Sequence, residues 1–148
     1  MMNLVYQEPD SKHCVLACLA TLMNMPMEAV KDDALHLGIN YDEGITYWDE
    51  LRLLQFWGWQ NNVVIVSPLT NHLIFGRTYL ATVPSLNHVG GMHRIIVKCL
   101  PVAGDPGVLF LIHDPNRVGK RYGVDVLVPT WSELMEFVGV FIFPEEVL

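Results

Sequence analysis

Basic residues are scarce in this chain: nine Lys and Arg stand against sixteen Asp and Glu, for a formal net charge of −7. Such a surface repels phosphate backbones and anionic membranes, so neither nucleic acid nor a membrane is expected as a partner. Cysteines are few and odd in number, Cys14, Cys18 and Cys99. Their spacing matches no disulfide framework or zinc ribbon, and a free thiol is expected instead of a staple. Although 51% of the residues are apolar, no window reaches the roughly 18 consecutive uncharged apolar residues of a membrane span. Internal repeats, low-complexity tracts and Gly/Ser linkers are missing as well. The opening residues MMNLVYQEPD carry no basic stretch followed by an apolar one, so they do not read as a secretory signal, and a cytoplasmic location is expected.

What is present is enough apolar residue for one sizeable core. A length of 148 residues suits a single domain, 1–148. The first half carries helical signals. Asp10 or Ser11 can cap a helix from about Lys12 to Asn24, with Cys14, Ala17, Cys18 and Leu22 at helical spacing. Pro26 suits the first turn of a second helix and Gly38 its end, and Thr46 with Asp49 makes a capping-box-like start for a third. The second half changes to short strand-like runs, at 63–66, 78–83, 93–99 and 107–113. A capping box from Thr130 to Glu133 opens a short helix, and VGVFIF closes as a strand. Helices first and strands after, joined by short turns, predict an α+β architecture with a mostly antiparallel sheet.

Four residues form a chemically coherent set. Cys14 falls in the first turn of a helix, where unpaired N–H groups and the helix dipole favour a thiolate. The plainer reading is that Cys14 and Cys18 are small core residues on one helix face, as free cysteines usually are. A thiolate needs a proton-transfer partner, and His93 stands at the head of a strand beside a Gly-Gly turn. Its plainer reading is an ordinary strand-end histidine. His13 adjoins Cys14, but helix neighbours point about 100° apart, which suits it poorly to that thiol. His36 is a helix-end residue, and His72 and His88 fall in polar loops. Asp114 ends an apolar strand, where a carboxylate can orient the imidazole of a neighbouring strand; before Pro115 it is also an ordinary turn residue. His113 is a reserve base, although strand alternation sends it to the face opposite Asp114. Gln7 offers a side-chain N–H for an oxyanion beside the backbone N–H of the cysteine, or is simply a surface glutamine.

The order Q…DSKHCVLACLATLM, VPSLNHVGGMHRIIV and LFLIHDPN resembles the C39-type peptidases within the papain-like cysteine protease superfamily, whose exporter-associated members cleave leader peptides after a double glycine. The resemblance spans roughly residues 6 to 116. It implies a papain-like fold, with Cys14 as nucleophile, His93 as general base, Asp114 as orienting residue and Gln7 as oxyanion donor. The family usually places its glutamine six residues before the cysteine and a glycine after it. Here the separation is seven and Val15 follows, so the oxyanion position is where this chain departs from the pattern. No phosphate-binding loop accompanies the domain: the lone GK at 119–120 has Asp114 where the first glycine belongs.

The expected activity is therefore thiol-dependent hydrolysis of a peptide or isopeptide bond in a peptide or protein substrate. A transglutaminase or deamidase uses the same constellation, and a non-catalytic module could hold a partner in the same groove. No cofactor is implied, and Cys14 with Cys18 lacks the second ligand pair of a metal site. Arg117, Lys120 and Arg121 read as a solvated turn or as an attractor for an acidic substrate segment. Trp48, Phe56, Trp57 and Trp59 read as packing of the third helix, or as a groove lining where exposed. Oligomeric state leaves no trace in the sequence.

Overall fold

The structure, a computed structural model, describes residues 3–59, 63–65, 78–101, 103–104, 108–123, 125 and 139–143. Its elements are α1 (Cys14–Met23), α2 (Met27–His36), a 3₁₀ turn (Tyr41–Glu43), α3 (Tyr47–Phe56), β1 (Val63–Ile65), β2 (Thr78–Pro84), β3 (Met92–Pro101), β4 (Val108–His113) and β5 (Gly139–Phe143). The architecture is α+β, as expected. Every adjacent strand pair is antiparallel, in the order β1-β5-β2-β3-β4. The Thr130–Glu133 capping box and His72 lie outside the described residues.

Helix α1 is the centre of the core because its sequence leaves it no polar face. Seven consecutive residues from Leu16 to Leu22 are buried, the pattern of a helix surrounded on all sides. It packs with Val30 and Ala34 of α2, Leu53 and Leu54 of α3, Leu80 of β2 and Ile96 of β3. Asn24 ends it in the left-handed region at φ 53°, a conformation asparagine tolerates. The Met25 N–H bonds back to the Ala20 carbonyl at 3.0 Å, and the chain turns through 109° into α2.

The start of α1 differs from expectation. The helix begins at Cys14 with His13 at the cap position, and no side chain caps it. Asp10 is left-handed at φ 58°, and the Ser11 hydroxyl donates to the Glu8 carbonyl at 2.7 Å. The polar stretch thus spends its side chains on a turn of its own. Pro26 stands at the cap position of α2, one residue before the first turn where it was expected, and the Thr46 hydroxyl accepts the Asp49 N–H at 3.2 Å, as expected.

Helix α3 buries Glu50, Leu53 and Leu54. Trp57 packs against the core and donates its indole N–H to Asp33 at 2.8 Å, and Trp59 also packs there. Trp48 and Phe56 lie on the opposite face and are exposed, 71% and 49%, so the aromatic group is only half core. Glu50 attaches the helix to the sheet through a two-point ion pair with Arg94 of β3, one contact of which is the Arg94 Nε to Glu50 Oε2 bond at 3.1 Å. Both side chains are buried. Among the described residues no single helix is long and apolar enough to cross a membrane.

Candidate active site

Register brings the proposed partners together. His93 is the second residue of β3, and Asp114 directly follows β4, whose last residue, His113, pairs with Ile96. The two side chains therefore meet across the sheet end, where His93 Nε2 donates to Asp114 Oδ1 at 2.8 Å. The thiol of Cys14, at the first turn of α1, lines the same cleft as this imidazole and is close enough to act on its charge. With Nε2 engaged by Asp114, Nδ1 is the nitrogen left to the thiol.

The electrostatics follow from this geometry. Asp114 is 2% exposed, and burial alone would raise its pKa. The His93 hydrogen bond and the backbone N–H groups of Tyr122, at 2.7 Å, and Asn116, at 2.9 Å, outweigh burial and hold the carboxyl below its ordinary value. Burial pushes the His93 pKa down, but the hydrogen bond to Asp114 and the neighbouring Cys14 raise it to about 9. The imidazole is therefore charged at neutral pH, and a positive charge beside the sulfur is what a thiolate nucleophile needs.

Gln7 lines the same cleft as Cys14 and His93. Its backbone N–H bonds to the Pro115 carbonyl at 2.9 Å, which seats it beside the Asp114 turn. Its side-chain amide donates to the Ser11 carbonyl at 2.9 Å, and its Oε1 is buried with no partner. The seventh residue of spacing is absorbed by the turn from Glu8 to Ser11, where left-handed Asp10 folds the chain back and the Ser11 N–H bonds to Glu8 at 3.1 Å.

The remaining candidates sort by their contacts. His113 is buried and points away from the thiol: its Nε2 donates to the Val5 carbonyl at 2.8 Å, and burial lowers its pKa. With Thr21, whose hydroxyl accepts the Val5 N–H at 2.9 Å, it clamps the N-terminal segment onto α1 and is no base for Cys14. His13 faces Asp42 at 3.2 Å and the ring of Tyr41. Cys18 is fully buried and donates to the Arg94 carbonyl at 3.5 Å, with burial raising its pKa. Arg117, Lys120 and Arg121 are all exposed, as expected of a solvated turn, and two of their side chains also make contacts. Arg117 lies over the Tyr6 ring at 3.8 Å, and Arg121 donates to the Asp114 carbonyl at 3.2 Å.

The cleft has a volume of about 770 Å³ and runs between the start of α1, the 85–91 turn and the 116–122 loop. The Glu50–Arg94 pair and Thr82 also line it. Sequence reasoning missed that pair and the Tyr122 N–H on Asp114. Glu50 stands beside Asp49 in the first turn of α3, where an acidic residue is ordinary, so its residue type gave no sign of a buried partner; a backbone donor leaves no residue-type signal either.

No protein-family model matches the chain, and no curated protein matches it in sequence. The site itself carries the functional reading.

Proposed function

We propose that this chain is a thiol-dependent hydrolase of the papain-like, C39-like kind, acting on peptide or isopeptide bonds. The observation that supports this reading is the hydrogen bond of His93 to buried Asp114, with Cys14 on the same open cleft and the imidazole pKa raised by both neighbours. In this mechanism the Cys14 thiolate attacks the carbonyl carbon and a C–S bond forms. The oxyanion is held by the Cys14 backbone N–H and a Gln7 amide N–H. The His93 imidazolium gives its proton to the departing amine as the C–N bond breaks. The neutral imidazole then takes a proton from water as the water oxygen attacks the thioester; the C–S bond breaks, the acid leaves, and the thiolate–imidazolium pair is restored. Asp114 keeps the ring oriented and its charge balanced throughout. A glutamine carboxamide as acyl donor and an amine in place of water would make the same chemistry a transglutaminase, so donor and acceptor separate the two activities.

The test is residue-resolved alkylation by iodoacetamide at neutral pH, read by mass spectrometry. Cys14 is expected to react faster than a free cysteine, Cys18 to be protected by burial, and His93→Ala to remove the advantage of Cys14. A Cys14 that reacts no faster than free cysteine, or is indifferent to His93→Ala, overturns the reading.

A further inference from the structure

Two turns wall the cleft on the imidazole side: 85–91, between β2 and β3, and 114–122, after β4. They are cross-locked. The Asn87 carboxamide accepts the Lys120 N–H at 2.9 Å and donates to the Lys120 carbonyl at 3.0 Å, the two-bond exchange of an antiparallel pair made by a side chain. Gly119, at φ 82°, permits the approach, since a Cβ there would stand 2.6 Å from Asn87 Oδ1. Tyr122 is the second lock. It is buried, its backbone N–H holds Asp114 Oδ2, and its phenol donates to the Pro84 carbonyl. Pro84 pairs with Met92, the residue before His93. A single residue thus joins the carboxylate to the strand pair that carries the imidazole.

We infer that Tyr122 and Asn87 are positioning residues: they hold the 114–122 turn closed over Asp114, so that the carboxylate stays dry and fixes the His93 imidazolium. The inference rests on the triad reading of the proposed function. Its physical basis is that a carboxylate–imidazolium attraction weakens steeply as water enters. Removing either lock lets the turn lift and admits that water, even though neither side chain touches His93 or Cys14 in its hydrogen bonding.

The experiment compares full-length wild type, Tyr122→Phe and Asn87→Ala. It measures the NMR titration of the His93 ring and the pH profile of Cys14 alkylation by iodoacetamide. Tyr122→Phe keeps the ring and the backbone N–H and loses the phenol bond to Pro84, while Asn87 is exposed, so its truncation leaves the core intact. Both variants are expected to titrate His93 at a pH moved from about 9 toward the ordinary value. Tyr122→Phe should slow Cys14 alkylation at neutral pH by roughly tenfold or more. A purely structural role would lower the melting temperature and leave the titration in place. If the wild-type imidazole titrates near its ordinary value, the triad reading itself fails and the inference with it. If the wild type titrates near 9 and neither variant moves it, the triad stands and the locks are overturned.

Discussion

Asp114→Asn removes the negative charge facing His93 while keeping the size of the side chain. Its one oxygen can serve either the Tyr122 N–H, now on Oδ2, or the Asn116 N–H, now on Oδ1, so one backbone bond is lost with the charge at every pH. His93 titrates at about 9 in the folded chain and near 6.5 in an unfolded one. A gap of about 2.5 pH units, at about 1.36 kcal/mol each, makes roughly 3 kcal/mol of folding stability linked to its proton. Because the folded value is the higher one, this stability is fully present below about pH 6.5 and is lost as the pH rises through about 9. Asp114 has the opposite sign: its lowered folded value gives stability that is present above the ordinary carboxylate range and is lost as the pH falls through it. Wild type should therefore be most stable in mildly acid solution and weaken by roughly 3 kcal/mol towards pH 10. In Asp114→Asn, burial becomes the dominant influence on His93, and the fall between pH 6.5 and 9 should disappear. Urea unfolding followed by fluorescence at pH 6, 8 and 10 reads the difference. At pH 6 the variant's midpoint should lie on the order of 1–2 M urea below wild type, and at pH 10 the gap should narrow to the cost of the lost backbone bond. An equal slope in both proteins would refute the assignment of the His93 proton to Asp114.

Glu50→Gln leaves the Arg94 charge buried without its carboxylate and should lower the melting temperature by on the order of 10 °C in calorimetry, while the double variant Glu50→Leu/Arg94→Met should recover most of that loss. His113→Ala removes the donor to Val5 and should open the N-terminal segment to chymotrypsin at Tyr6, at a cost of roughly 1–3 kcal/mol by urea unfolding. The lowered pKa of His113 means its contribution is present above the ordinary imidazole range and is lost as the pH falls below it, so hydrogen exchange at Val5 should accelerate in acid beyond its intrinsic rate. Gln7→Ala should leave Cys14 alkylation unchanged, because displacement of iodide forms no oxyanion, and should slow acylation by p-nitrophenyl acetate by roughly a hundredfold; equal losses in both assays would remove Gln7 from the oxyanion role.

The helices were largely legible because their signals are local. Pro26, the Thr46–Asp49 pair and the unbroken apolar run of α1 each act within a few residues, and the structure uses each at or next to its expected place. The strand segments were legible for the same reason, and so was their antiparallel pairing. Their order was not: β5, the last strand, inserts between β1 and β2, a choice made by contacts far apart in sequence. The aromatic group of α3 misled because density of Trp and Phe says how much can be buried, while the helix face decides which of them is. Glu50, Leu53 and Leu54 set the inward face, and Trp48 and Phe56 fall opposite to it.

The site divides along the same line. Cys14, His93 and Asp114 could be read because a helix start, a strand start and a strand end are local landmarks, and antiparallel register brings the latter two to one edge of the sheet. The turn from Glu8 to Ser11 could not be read, since it depends on Asp10 entering a left-handed conformation that Asp tolerates but does not prefer, while the same residue also read as a helix cap. That conformation is what reconciles the seven-residue spacing with a Gln7 seated at the cleft. A stretch of seven extended residues would carry the glutamine roughly 20 Å or more from the thiol; the turn brings the chain back, and the Pro115 carbonyl and the His113 clamp on Val5 fix where it returns. The same β4 end that supplies Asp114 to the imidazole thus also anchors the segment that carries Gln7, so a displacement of that strand end would disturb both the proposed proton relay and the proposed oxyanion side of the cleft together.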